Sequence, residues 1–138
     1  MLRERLKILQ VPIMALYSVS FVLPVDKVLG INLFMVGMMA WLFAPSILLL
    51  WAANPLLWLG VYFLRDGRWG LVALTGTLAC ISASLMLFPM GHSTILNNPR
   101  GLVLWAGYFV WLASTVLLAV TGWTGWLAPW LLPRPRVR

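Results

Sequence analysis

Acidic residues are almost missing from this chain. Glu4, Asp26 and Asp66 are all it has, beside one histidine, His92, and one cysteine, Cys80. The three acids lie in a basic head or in polar turns, and no carboxylate, lysine or arginine interrupts a long apolar run. Proton- and ion-coupled transporters keep such groups at membrane depth, where they are costly and therefore functional, so this pattern argues against that class. One histidine and one cysteine without paired acids build no zinc or iron site. His92 beside Ser93 is adjacency in sequence rather than a triad, which needs a base reaching the nucleophile and a third group orienting that base. The ordinary reading of His92 is a solvated loop residue. Its sharper reading is a single axial ligand to a haem or chlorophyll-type pigment, and the sequence requires no cofactor. Cys80 forms no internal disulfide and, inside an apolar run, reads as a small packing residue.

What remains is apolar. Of 138 residues 62% are hydrophobic and 9% charged, with a mean hydropathy of +0.94, outside the range of soluble domains. The expectation is an all-α integral membrane protein forming one transmembrane helical domain. The apolar runs are continuous rather than alternating, which argues against a β-barrel. The net charge of +7 would suggest nucleic acid in a soluble protein, but the basic residues flank the apolar runs. That placement is the positive-inside pattern, which points to membrane lipids as partners and to no nucleic acid. By general type the chain resembles small bacterial inner-membrane proteins, a resemblance that transfers no residue roles.

The head Met1–Lys7 followed by the apolar run to Val25 has the form of a signal peptide, with Ser18-Val19-Ser20 as a faint cleavage site. We read it as a first span over about 8–23, with Pro12 tolerated near its start. The stretch Val28–Leu64 then runs 37 residues without a charge. One straight helix of that length would be about 55 Å, against a hydrocarbon core of about 30 Å, so the stretch must break or bend. A single crossing places Arg3, Arg5, Lys7, Arg65, Arg68, Arg134, Arg136 and Arg138 inside, leaving Lys27 and Arg100 outside. The expected order is an interfacial or re-entrant segment over 28–43 and a kinked span over 45–64 that begins at Pro45. The rival placement spans 31–52 and starts a new helix at Asn54-Pro55, since asparagine followed by proline is a helix-start pattern. Further spans are expected over 69–88 and 101–121, the latter opened by Asn98-Pro99, with both termini inside. Residues 122–138 read as an interfacial tail, in which Trp123, Trp126 and Trp130 share a face, Pro129 opposes a regular helix, and basic residues follow.

Two groups of residues stand out. Asn54 and Pro55 form a polar kink near mid-membrane, where the amide must bond a neighbouring helix or the carbonyl that Pro55 leaves free. Thr75, Ala79 and Ala83 recur every four residues, as do Gly76, Cys80 and Ser84, making two adjoining small-residue rows that can serve one broad, close helix contact. The remaining serines and threonines read as interhelical or back-bonding residues. The expected function is a structural or accessory subunit of a larger membrane complex, without enzyme activity, packed against other transmembrane subunits. The competing readings are a self-assembling channel or small-molecule transporter, which would turn Asn54 toward a cavity, and a lipid-acting enzyme, which would gather His92 with other polar groups.

Overall fold

The computed structural model describes residues 2–25, 28–40, 49, 51–85 and 106–131. It is mostly helical, at 89% of those residues. Helix α1 (Leu2–Lys7) leads through a turn into α2 (Gln10–Val22). Strands β1 (Pro24–Val25) and β2 (Val28–Leu29) pair antiparallel, Pro24 with Leu29 and Val25 with Val28. Then come α3 (Gly30–Ala40), α4 (Ala53–Asp66), α5 (Trp69–Ser84) and α6 (Ala106–Leu131). Two helical stretches, Leu2–Val22 and Ala106–Trp130, are long and apolar enough to cross a membrane; Trp69–Ser84 is apolar but shorter.

The basic head does not precede the first helix; it is its first turns. Arg3, Glu4, Arg5 and Lys7 all lie in α1, with Glu4 and Lys7 paired at 3.2 Å, and the helix tightens through Ile8 and Leu9 by bonds that reach back three residues. The expected interfacial or re-entrant segment over 28–43 opens with β2 and continues as α3, whose Phe34 ring lies 5.4 Å from Phe21 on α2. Pro45, the expected start of the second span, is outside the described residues. Trp51 is helical, Ala52 is a turn residue and α4 begins at Ala53, so the chain interrupts its helix just ahead of Asn54-Pro55. The start near Asn54 resembles the rival placement, although no side chain caps it.

The largest departure is at the other end. The expected break after Thr121 does not occur, and α6 continues through Pro129 to Leu131. The separate interfacial segment is, for residues 122–131, the last turns of one 26-residue helix. Glycines explain why this part is held in the bundle. A Cβ on Gly122 would strike the backbone of Ala73 and Val72, and one on Gly125 the ring of Trp69, so α6 lies against α5 with almost nothing between them. Further along, a Cβ on Gly76 would meet Ala119 N at 2.7 Å, and the Tyr108 hydroxyl donates to Ala83 O at 2.8 Å. The pairing of low with high numbers makes α5 and α6 antiparallel. Small residues bring the backbones together, and dispersion across that contact holds them.

The turn between α4 and α5 is closed by Gly67, whose φ of 75° is the left-handed conformation that favours glycine. Gly67 N–H donates to Leu64 O and Arg68 N–H to Phe63 O, the paired bonds of a Schellman cap. The Lys7 side chain lies beside this turn, with Nζ 3.8 Å from where a Gly67 Cβ would be. Arg3 reaches the last turns of α6, its Nε donating to Gly125 O at 3.2 Å. The basic head, the Arg65–Arg68 turn and the end of α6 therefore share one end of the bundle. Ile13 and Tyr17 of α2, Leu57 and Leu64 of α4, Trp69 and Val72 of α5 and Leu118 of α6 form the core between them.

Candidate functional site

Asn54 is the polar centre of this core. Its side chain is 8% exposed and bonded on three sides. Oδ1 accepts from the Tyr17 hydroxyl of α2 at 3.2 Å and from Trp111 Nε1 of α6 at 3.2 Å, while Nδ2 donates to Trp51 O at 3.3 Å. The indole N–H at one atom and the Trp51 carbonyl at the other fix the amide orientation, since a flipped amide would set N–H against the donor-only indole and oxygen against the carbonyl. From Gly67 at the basic end, α4 climbs 13 residues to Asn54, roughly 20 Å at about 1.5 Å per residue. The chain thus ties three helices together at depth through one neutral side chain.

The bond to Trp51 O has a specific cause. Pro55 has no N–H, so the carbonyl four residues earlier, that of Trp51, loses its helical donor. Asn54 supplies a replacement. The same accounting holds at the other two prolines in the described helices. Pro12 frees Ile8 O, which accepts Val11 N–H at 3.1 Å. Pro129 frees Gly125 O, and that is the carbonyl to which Arg3 donates. Where water is excluded, an unpaired carbonyl costs several kcal/mol, on the order of the whole net stability of a marginal bundle. Each of these prolines is admitted because another group reaches the carbonyl it leaves.

The small residues of α5 divide their work. A Cβ added to Gly60 of α4 would meet Thr75 Oγ1 at 2.8 Å, while Gly76 faces Ala119 of α6. Thr75 of one row thus lies against α4 and Gly76 of the other against α6, while Ala83 of the first row also receives the Tyr108 hydroxyl of α6 on its carbonyl. Thr75, Gly76, Ala79 and Ala83 are buried; Cys80 and Ser84 are half-buried. Ser82 reaches out of the helix to donate to Leu49 O. The other hydroxyls mostly bond back to their own helix: Thr75 to Leu71 O, Thr77 to Ala73 O, Ser84 to Cys80 O, Ser114 to Trp111 O and Thr115 to Leu112 O. Around the amide, Tyr17 packs edge-on against Phe21 and Trp58, and Phe34 lies against Trp51 and Trp58. The buried Trp51 Nε1 has no hydrogen-bond partner among the described residues.

Tyr17, Trp111, Arg3, Gly122 and Gly125 escaped the sequence reading as partners. A pattern for two of them was present: Tyr17 and Trp111 carry polar tips well inside apolar runs, where a buried donor must find an acceptor. His92 lies outside the described residues. Among the described residues no three of His, Cys, Asp or Glu gather in one place. The fold and this site together define a helical bundle closed by a neutral hydrogen-bond node, with two helices able to cross a membrane. No protein-family model matches the chain, and neither a curated protein nor a solved structure matches it.

Proposed function

We propose that the chain is an integral membrane protein that crosses the bilayer four times, through α1–α2, α4, α5 and α6, and serves as a structural or accessory subunit of a larger membrane complex. The observation that carries this reading is Asn54. Both its acceptor positions are taken by side chains of packed helices, and its amide nitrogen mends a backbone defect. A channel or transporter would use such a group on a water-accessible surface; here it is committed to holding α2, α4 and α6.

Supporting features agree in direction. Lys7 beside Gly67 and Arg3 on Gly125 collect basic residues at one end, as the positive-inside rule requires of an N-in, C-in protein. Helices α4 and α5, of 14 and 16 residues, are the crossings that the proposal adds to the two longer helices. The outer faces are aliphatic and aromatic, with Leu74, Ile81, Trp58, Tyr62, Val120 and Trp130 exposed, as suits a surface against lipid or other helices. A bacterial inner membrane is the proposed location.

The test is the mass of the native particle after gentle detergent extraction, with identification of whatever copurifies. An assembly containing other chains supports the subunit role. A particle made only of this chain refutes it and directs attention to solute uptake by the reconstituted protein.

A further inference from the structure

Three cationic side chains, Arg3, Lys7 and Arg68, lie at the end of the bundle shared by α1, the α4–α5 turn and the end of α6, Lys7 paired with Glu4. Arg3 is anchored on Gly125 O through Nε, and its two Nη groups have no acceptor among the described residues. Lys7 lies against Gly67. Arg68 begins α5 one residue before Trp69, whose ring covers Gly125; it is paired with Asp66 at 2.6 Å, yet its side chain is 61% exposed. Beside them stands Trp126, its indole 3.6 Å from where a Gly70 Cβ would be and the residue 45% exposed, and Trp130 one turn later is 81% exposed. The only acids described at this end are Glu4 and Asp66, so the surface keeps a positive excess.

We infer that this corner is a docking surface for one anionic lipid headgroup, whose phosphate is held by Arg3 and Arg68 while Trp126 lies at the boundary between headgroup and acyl chain. Charge complementarity selects the occupant. A guanidinium presents a planar fork that matches phosphate oxygens, and Arg3 is already fixed at one nitrogen, so less freedom is lost when the other two engage. An indole half in and half out of the apolar face is suited to headgroup depth. The corner joins residues from three helices, which sets it apart from a scatter of solvated charges. The inference rests on the membrane reading above.

The full chain in uncharged detergent, presented with equimolar phosphatidylglycerol and phosphatidylcholine, is examined by native mass spectrometry. The unmodified protein should retain phosphatidylglycerol about tenfold over phosphatidylcholine, since the cations attract the net negative headgroup and not the zwitterionic one. Because Arg3 also serves the fold, R3Q and R68Q are tested together with P129A, which returns a backbone donor to Gly125 O. This triple variant should lose the preference, whereas R5Q with R65Q should keep most of it. Equal retention of the two lipids, equal loss from either arginine pair, or displacement of the lipid by excess inorganic phosphate would overturn the site. A chain that stays soluble and monodisperse without detergent would instead refute the membrane reading itself.

Discussion

Replacing Asn54 by leucine tests the central claim about the core. Leucine has the branching and side-chain heavy-atom count of asparagine but is bulkier, so the change removes polarity and adds some crowding at a buried position. Left behind are the Tyr17 hydroxyl and Trp111 Nε1 without their acceptor, and Trp51 O without its donor. An unsatisfied buried group costs about 1–3 kcal/mol, and interhelical bonds in membranes average about 0.6 kcal/mol, reaching about 1–2 in model peptides. Partial relaxation of the tyrosine and the half-buried tryptophan brings the expected loss to about 3 kcal/mol. The assay is reversible unfolding in mixed micelles with increasing denaturing detergent, followed by tryptophan fluorescence. The pattern across partners is more diagnostic than the size. Tyr17→Phe should cost about 1 kcal/mol alone but be neutral or stabilising on N54L, because there it removes an orphan donor. Adding Pro55→Ala to N54L should recover part of the loss by giving Trp51 O a backbone N–H. A loss under about 0.5 kcal/mol for N54L, or equal costs of Y17F in both backgrounds, would refute the node.

Three further outcomes follow from the same geometry. Gly122→Ala should destabilise by about 1–3 kcal/mol, since its Cβ meets the Ala73 backbone, whereas Gly70→Ala, which meets only the Trp126 ring at 3.6 Å, should gain up to about 1 kcal/mol of helix propensity; equal signs in the unfolding assay would count against the α5–α6 seam. Arg3→Gln should cost about 1 kcal/mol or more in the native chain and little on P129A, and the same cost in both would mean that Arg3 does not serve the freed carbonyl. In a Cys80→Ser background, cysteines placed at Gly67 and at Ser93 should label from opposite sides of the membrane, and labelling from one side would overturn the four-crossing topology.

The elements that announce themselves by composition were legible in the sequence. Apolar runs, the Arg65-Asp66-Gly67-Arg68 turn and the small residues of α5 all sit close to where their patterns place them, because each reflects a local cost: burying charge, reversing the chain, or bringing backbones together. The amide of Asn54 stood out for the same reason. Its partners did not, since Tyr17 and Trp111 lie 37 and 57 residues away and nothing local selects them. The break expected after Thr121 failed on a related point. Pro129 does free a carbonyl, but the cost of that defect depends on whether a distant group can reach it, and Arg3, at a separation of 122 residues, does. Proline in a helix is a local fact whose price is set by the tertiary structure. That Thr75 meets Gly60 of α4 and Gly76 meets Ala119 of α6 was hidden likewise, because two adjoining rows do not state which neighbours they meet.

The position of α6 also has a consequence in time. It supplies Trp111 to the asparagine, Tyr108 to Ala83, Gly122 to the α5 backbone and the carbonyl that occupies Arg3, yet in a growing chain it emerges after every group it satisfies. Until then, among the described residues, Asn54 has Tyr17 as its one donor and Arg3 lacks the carbonyl it binds. The earlier helices therefore carry unmet donors and carbonyls as an unfinished set until α6 joins them.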